Sequence, residues 1–223
     1  MSKSYLVIDL EFTHYRRPVG KPRGFFSEII EIGALKIDPL TLETTHTLQD
    51  FVKPHFYPKQ AKEVMEFCSI TAADMQTAVT FIEMLDKIKA IYTPGETYIV
   101  AWGSEDYNVI ERGCQRHNVP NPILKDDYLD IAHCYRILND DSHTTSLKDA
   151  AEELDITHEG HNHAALDDAA KTAKVLIKLL ENGFTPEIAK LHSSYHRRKN
   201  NTPINKISKN VQTFCKFTLQ NCI

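Results

Sequence analysis

The sequence predicts an α/β protein with a mixed sheet. Two observations carry that expectation. Strand-like segments crowd residues 5–53, separated by turns and one loop. From residue 81 onward, helical patterns take over and enclose a single further strand. Strands that lead and then alternate with helices are the signature of this class.

Residues 5–12 open with Tyr5, Leu6, Val7 and Ile8, an apolar run with a β-branched core. Residues 29–37 form a second strand and residues 44–53 a third, with Pro39 and Thr41 at the turn between them. Together they read as an antiparallel meander. A loop rich in Pro, Gly and Arg at 14–27 joins the first two. Thr80 and Glu83 form a capping box ahead of a helix at 81–92, where Phe81, Ile82, Leu85, Ile88 and Tyr92 recur at helical spacing. A strand at 98–102 follows. Gly103 then introduces a helix with Ser104 as its N-cap, running to about His117. Further helices are expected at 130–138, capped by Asp130, at 146–154, capped by Ser146 with Asp149 at the third position, and at 164–182, ended by Gly183. Thr185, Pro186 and Glu187 restart a helix, with Ile188, Leu191 and Tyr195 on its apolar side.

The composition, 42% hydrophobic and 25% charged, is that of a soluble globular chain. No apolar run approaches the roughly 20 residues of a membrane span. The short N-terminal apolar run, broken by Asp9, does not read as a secretory signal. Five scattered cysteines without a CxxC spacing suggest reduced thiols and a cytoplasmic setting. Charge is uneven. Residues 185–223 carry net +6 against −4 for the whole chain. A second basic cluster, Arg16, Arg17, Lys21 and Arg23, lies just after Glu11. Either cluster is suited to phosphates.

The chemistry begins at Asp9 and Glu11. Residues i and i+2 of a strand share a face, so both carboxylates aim into one small volume. Like charges that close raise each other's pKa, and a hard divalent cation relieves the repulsion. Asp106 falls at the second position of its helix, on a stripe with Val109, Ile110, Gly113 and His117. An acid on that face is costly unless paired. Glu105 complements the helix dipole. At about 100° per residue, Asp167 lies with Lys171, Lys174 and Lys178 on a solvated flank and suits pairing with Lys171. Asp168 lines up with Val175 and Leu179 and is the better ligand. His163 stands at the mouth of the same helix, where an imidazole suits a general base acting on water. His158, His161 and His163 also admit a zinc reading. Four carboxylates favour a hard ion instead, and with one histidine they suit a phosphodiester clamped between two divalent ions.

At these residues the chain resembles the DEDDh three-prime-to-five-prime exonucleases, specifically their KapD-like and three-prime histone-mRNA exonuclease branch. The supporting stretches are residues 7–13, 28–33, 51–54, 102–106 and 163–168. The resemblance implies a ribonuclease-H-like fold, a mixed five-stranded sheet flanked by helices. It implies a nuclease domain over 1–183 and a basic extension over 184–223, helical at its start. It implies that Asp9, Glu11, Asp106 and Asp168 bind two Mg²⁺ or Mn²⁺ ions, and that His163 deprotonates the attacking water. Nucleoside five-prime monophosphates would be released from the three-prime end of a single strand, RNA rather than DNA. The Phe12–Thr13 backbone would hold the terminal sugar hydroxyl, and Phe12, Phe25 or Phe26 would stack on the last base. Arg23 joins these as a phosphate contact.

Two other functions remain open at this level. Asp9 to Thr13 partly matches the Asp-x-Asp-x-Thr of haloacid-dehalogenase-type phosphatases, although Glu11 replaces the second Asp. A nucleic-acid-binding protein with a silent site would fit the basic tail.

Overall fold

A computed structural model describes residues 2–15, 21–139, 141, 143–157 and 163–186. Among the described residues the strands are β1 (Ser4–Phe12), β2 (Ile29–Ile37), β3 (Thr44–Phe51), β4 (Thr97–Ala101) and β5 (Tyr128–Asp130). They lie in the order β3-β2-β1-β4-β5. The first three pair antiparallel, while β4 runs parallel to both β1 and β5. The expected mixed five-stranded sheet is the one observed, with β1 at its centre.

Alternation along β1 sorts its side chains. Leu6, Ile8 and Leu10 enter the main core with Ile32 and Ala34 of β2 and Ile99 of β4. Over that face pack α3 (Phe81–Ile91), through Phe81, Met84, Leu85 and Ile88, and α4 (Glu105–His117), through Val109, Ile110 and Cys114. Gly113 permits the fit, because a Cβ there would sit 2.6 Å from the Phe81 ring. Burying side chains of this size stabilises the fold by about 1.5–3 kcal/mol each.

The opposite face receives Asp9 and Glu11. In the antiparallel register Asp9 pairs with Gly33 and Glu11 with Glu31. A Cβ at Gly33 would overlap the Ala165–Leu166 backbone, so only glycine lets α7 (Ala165–Glu181) start directly against the strand beside Asp9. Between Glu11 and Phe12 the register slips, leaving Ile30 without a partner on β1. Ile30 instead joins a second, smaller core with Ala61 and Val64 of α1 (Pro58–Phe67) and with Ile70.

The expected capping box at Thr80 and Glu83 is present, as is the Ser146 cap on the Asp149 amide of α6 (Leu147–Glu153). Ser104 holds the cap position of α4 but its hydroxyl makes no cap hydrogen bond. Among the described residues four elements were not expected: α1, α2 (Ala72–Thr77), a 3-10 turn at Lys125–Asp127, and β5. Helix α1 buries only Ala61 and Val64, too few apolar positions to register as a helical repeat. Strand β5 spans three residues, ending at the proposed cap Asp130 immediately before α5 (Ile131–Leu138). The third strand stops at Phe51; Val52 forms an isolated bridge to Val79.

The chain divides into two compact units. Residues 1–130 and 158–173 make the first and contain the sheet. The second comprises 131–157 and 174–223; in it the Tyr135 hydroxyl donates to Glu153 at 2.6 Å and Lys174 Nζ to the Thr157 carbonyl at 3.1 Å. No described helix is long and apolar enough to cross a membrane. The helix restart after Thr185, beyond Pro186, lies outside the described residues, as do Arg16, Arg17, His158 and His161.

Candidate active site

The site lies in the first unit, where β1 outruns its parallel neighbour. Pairing with β4 ends at Val7, and the Leu10 N–H, beyond that pairing, donates to Asp106 Oδ1 at 3.1 Å. Asp106 reaches that point from the start of α4, on one side of the sheet. Asp168 comes from the start of α7, on the other. Asp9 lies within reach of both: burial first, then the charges of Asp106, Asp168, Glu11 and Glu31, hold its carboxyl well above the usual carboxylate range. Burial also drives Asp106, 7% exposed, up to about 7, against hydrogen bonds from its own and the Leu10 N–H.

Glu11 is raised too, chiefly by burial; a hydrogen bond from Cys68 and the nearness of His163 work against the rise. The Cys68 thiol donates to Glu11 Oε2 at 3.2 Å. Burial and the Glu11 charge push that thiol far up, so it stays protonated and able to donate. His163 Nδ1 stands 4.0 Å from Glu11 Oε1, and its ring lies 4.5 Å from that of Phe67. The His163 backbone is left-handed, φ 65°, a region non-glycine residues visit rarely and often at functional sites. Its N–H donates to Asp168 Oδ2 at 3.0 Å. Backbone hydrogen bonding therefore ties the proposed base to the proposed ligand.

Glu11, His163 and Asp168 each offer a ligand atom within 4.8 Å of the others. Asp9 and Asp106 are buried acids, and the Asp106 charge adds to the repulsion felt at Asp9. Oxygen-rich donors under mutual repulsion fit hard divalent cations, so these residues suit the ions the sequence implied.

Several contributors escaped sequence reasoning. Glu31, opposite Glu11, accepts from Gln49 Nε2 at 3.1 Å and from the Ala165 N–H at the start of α7. Burial still raises its pKa. An acid inside the apolar run 29–37 was the available signal. Glu28, just before that run, is another buried acid. Its carboxylate accepts the N–H groups of His55, Phe56 and Tyr57 at 2.6, 2.8 and 2.6 Å, which anchors the chain entering α1. Tyr128 donates to the Gly103 carbonyl at 2.7 Å, bracing the turn before Asp106.

Three expectations need correction. Lys171 is not on a solvated flank with Asp167: it is 6% exposed, and its ammonium lies 2.9 Å from Asp168 Oδ1. Phe26 is not available for stacking, being 7% exposed with the Arg116 guanidinium 4.9 Å over its ring. Of the Phe12–Thr13 backbone expected to hold a sugar hydroxyl, the Thr13 N–H is already used: it donates to the Glu28 carbonyl at 2.8 Å, and the Thr13 hydroxyl accepts the Glu28 N–H at 2.9 Å. Phe12 is partly buried against the main core, Phe25 is half-buried beside Tyr57, and Arg23 is exposed. Glu105, expected to complement the helix dipole, is also paired with Arg112 at 3.1 Å.

Comparison with known proteins identifies the family. The family model described as exonuclease matches residues 6–176. Over 183 residues the chain is 35% identical to the probable 3'-5' exonuclease KapD of Bacillus subtilis, covering 81% of this chain and 85% of that protein. It is 26% identical over 185 residues to 3'-5' exoribonuclease 1 of Homo sapiens, covering 79% of this chain and 52% of the relative, so it spans about half that protein's length. Among solved structures, the nuclease domain of 3'hExo, a DEDDh family member bound to rAMP, superposes with a TM-score of 0.70 at 25% identity, covering 82% of this chain and 94% of that one. The phosphatase alternative is set aside by these matches.

Proposed function

This chain belongs to the exonuclease family, and on that premise we propose that it shortens single-stranded nucleic acid, RNA rather than DNA, from the three-prime end. The products are nucleoside five-prime monophosphates. One observation carries the reading: carboxylates from β1, α4 and α7 converge on Asp9 beside a histidine already bonded to one of them. The RNA preference rests on likeness to relatives named exoribonucleases and to a nuclease domain bound to rAMP.

Asp9, Glu11, Asp106 and Asp168 would hold two Mg²⁺ or Mn²⁺ ions. Bound there, such ions polarise the phosphodiester and stabilise charge on the entering and leaving oxygens. His163 serves as general base. Its ring is half exposed, so water reaches it, and the Asp168 carboxylate fixes its backbone. Cys68 holds one oxygen of Glu11, while Glu31 pins the start of α7, which carries Asp168. Phe12 and Phe25 remain the candidates for stacking on the terminal base, Arg23 for a phosphate contact.

The test is digestion of matched five-prime-labelled RNA and DNA oligomers, with and without EDTA. A ladder shortening from the three-prime end, faster on RNA and abolished by chelator, is expected. Internal cuts would overturn the polarity, and intact RNA after long incubation with Mn²⁺ would favour a silent binding role.

A further inference from the structure

Lys171 is a buried cation that the proposed reaction does not use. It sits one turn beyond Asp168 on α7, with side-chain exposures of 8% and 16% for the pair. An ammonium so placed is costly unless a counter-charge meets it. The counter-charge is Asp168 Oδ1 at 2.9 Å, while the other oxygen, Oδ2, takes the His163 N–H at 3.0 Å. Both oxygens of this carboxylate are thus held by the chain itself. Asp9 and Glu11, both acids, lie close enough to feel its charge.

We propose that Lys171 is a positioning residue that serves as the acidic cluster's resident counter-charge, holding Asp168 in place and setting how tightly the site takes divalent cations. The inference rests on the metal-binding reading above and deepens it. The ammonium and an incoming cation draw on the same carboxylate. With Lys171 present, the acids tolerate one another at low metal concentration, and each ion binds against a positive charge already there. Removing the ammonium leaves the acids less balanced without metal and more attractive to it. An ordinary helix-surface ion pair at this spacing would do neither, since such pairs act through local stability alone.

The experiment uses the full chain and three variants. Lys171→Met keeps the buried stem and removes the charge. Lys171→Gln removes the charge but keeps a donor. Lys171→Arg keeps the charge. Mn²⁺ binding is measured by calorimetry, and melting temperature in EDTA and in saturating Mn²⁺. In K171M and K171Q the Mn²⁺ dissociation constant is expected to fall on the order of tenfold, as loss of a nearby like charge dictates. Their melting temperature drops in EDTA and largely recovers in Mn²⁺. K171R stays within about threefold of the parent affinity. An equal drop with and without Mn²⁺, or an unchanged or weaker Mn²⁺ affinity in both neutral variants, would overturn the inference while leaving the nuclease reading intact. Failure of the parent protein to bind Mn²⁺ would overturn both.

Discussion

Two aspartates of the same unit are almost equally hidden and behave in opposite ways. Asp127, 2% exposed, receives Lys3 Nζ at 3.0 Å, the Tyr92 hydroxyl at 2.7 Å and the Gly95 N–H at 2.7 Å. Burial would raise its pKa, but those three donors outweigh it and the carboxyl ends below its ordinary value. Asp106 has backbone donors only and faces other acids, so burial wins and carries it to about 7. A buried carboxylate surrounded by donors is part of the scaffold. A buried carboxylate set among its own kind has the chemistry of a cation ligand. The contrast separates structural acids from functional ones better than burial does.

The contrast breaks most visibly by exchanging each acid for its amide. Asp106→Asn is expected to lower nuclease turnover on the order of 10³-fold, while metal-free stability near neutral pH holds or rises, because a repelled charge is gone. Single-turnover kinetics and chemical denaturation check both halves; retained activity would remove Asp106 from the site.

Acidity sharpens it. The folded pKa of Asp106, about 7, lies above an unfolded value near 3.9. Between those values the folded state holds the extra proton, so metal-free stability is highest at the acid end and falls as pH rises. The melting temperature in EDTA should drop by roughly 5–10 °C from about pH 5 to about pH 8. Asp9, Glu11 and Glu31, all raised, push the same way. Asp127 acts oppositely: its contribution is present above the unfolded pKa and is lost only as pH falls below it. Saturating Mn²⁺ or Asp106→Asn should flatten the profile, and a profile rising with pH in EDTA would refute the repulsion.

Asp127→Asn is the complementary change. It leaves Lys3 with a weaker partner and should destabilise the fold by about 2 kcal/mol, the Lys3 side being partly solvated. Turnover per folded molecule should stay within twofold, by the logic of an acid that touches no substrate. The smallest effect comes from Ser146→Ala in the other unit, about 1 kcal/mol from the lost cap, with unchanged kinetics.

Much of the site was legible because its determinants are local. Period-2 alternation placed Asp9 and Glu11 on one face, and helical spacing placed Asp106 against the sheet. Other features depend on which distant segments meet. No periodicity says that Cys68 will touch Glu11, or that Phe26 will lie under Arg116. The Asp168–Lys171 pairing was within reach of sequence, since i,i+3 neighbours on a helix touch, but the equally allowed i,i+4 pairing of Asp167 with Lys171 competed with it. In the structure Lys171 is buried and lies 2.9 Å from Asp168.

By itself, the chain's order of residues determined most of the elements and the side that Asp9, Glu11 and Asp106 face, because those follow from backbone geometry repeated every two or 3.6 residues. Tertiary structure alone decided that acids from three elements share one volume, and that a buried ammonium sits among them. Such meetings depend on packing at Gly33 and on the slip at Ile30, where space rather than sequence spacing sets who is neighbour to whom.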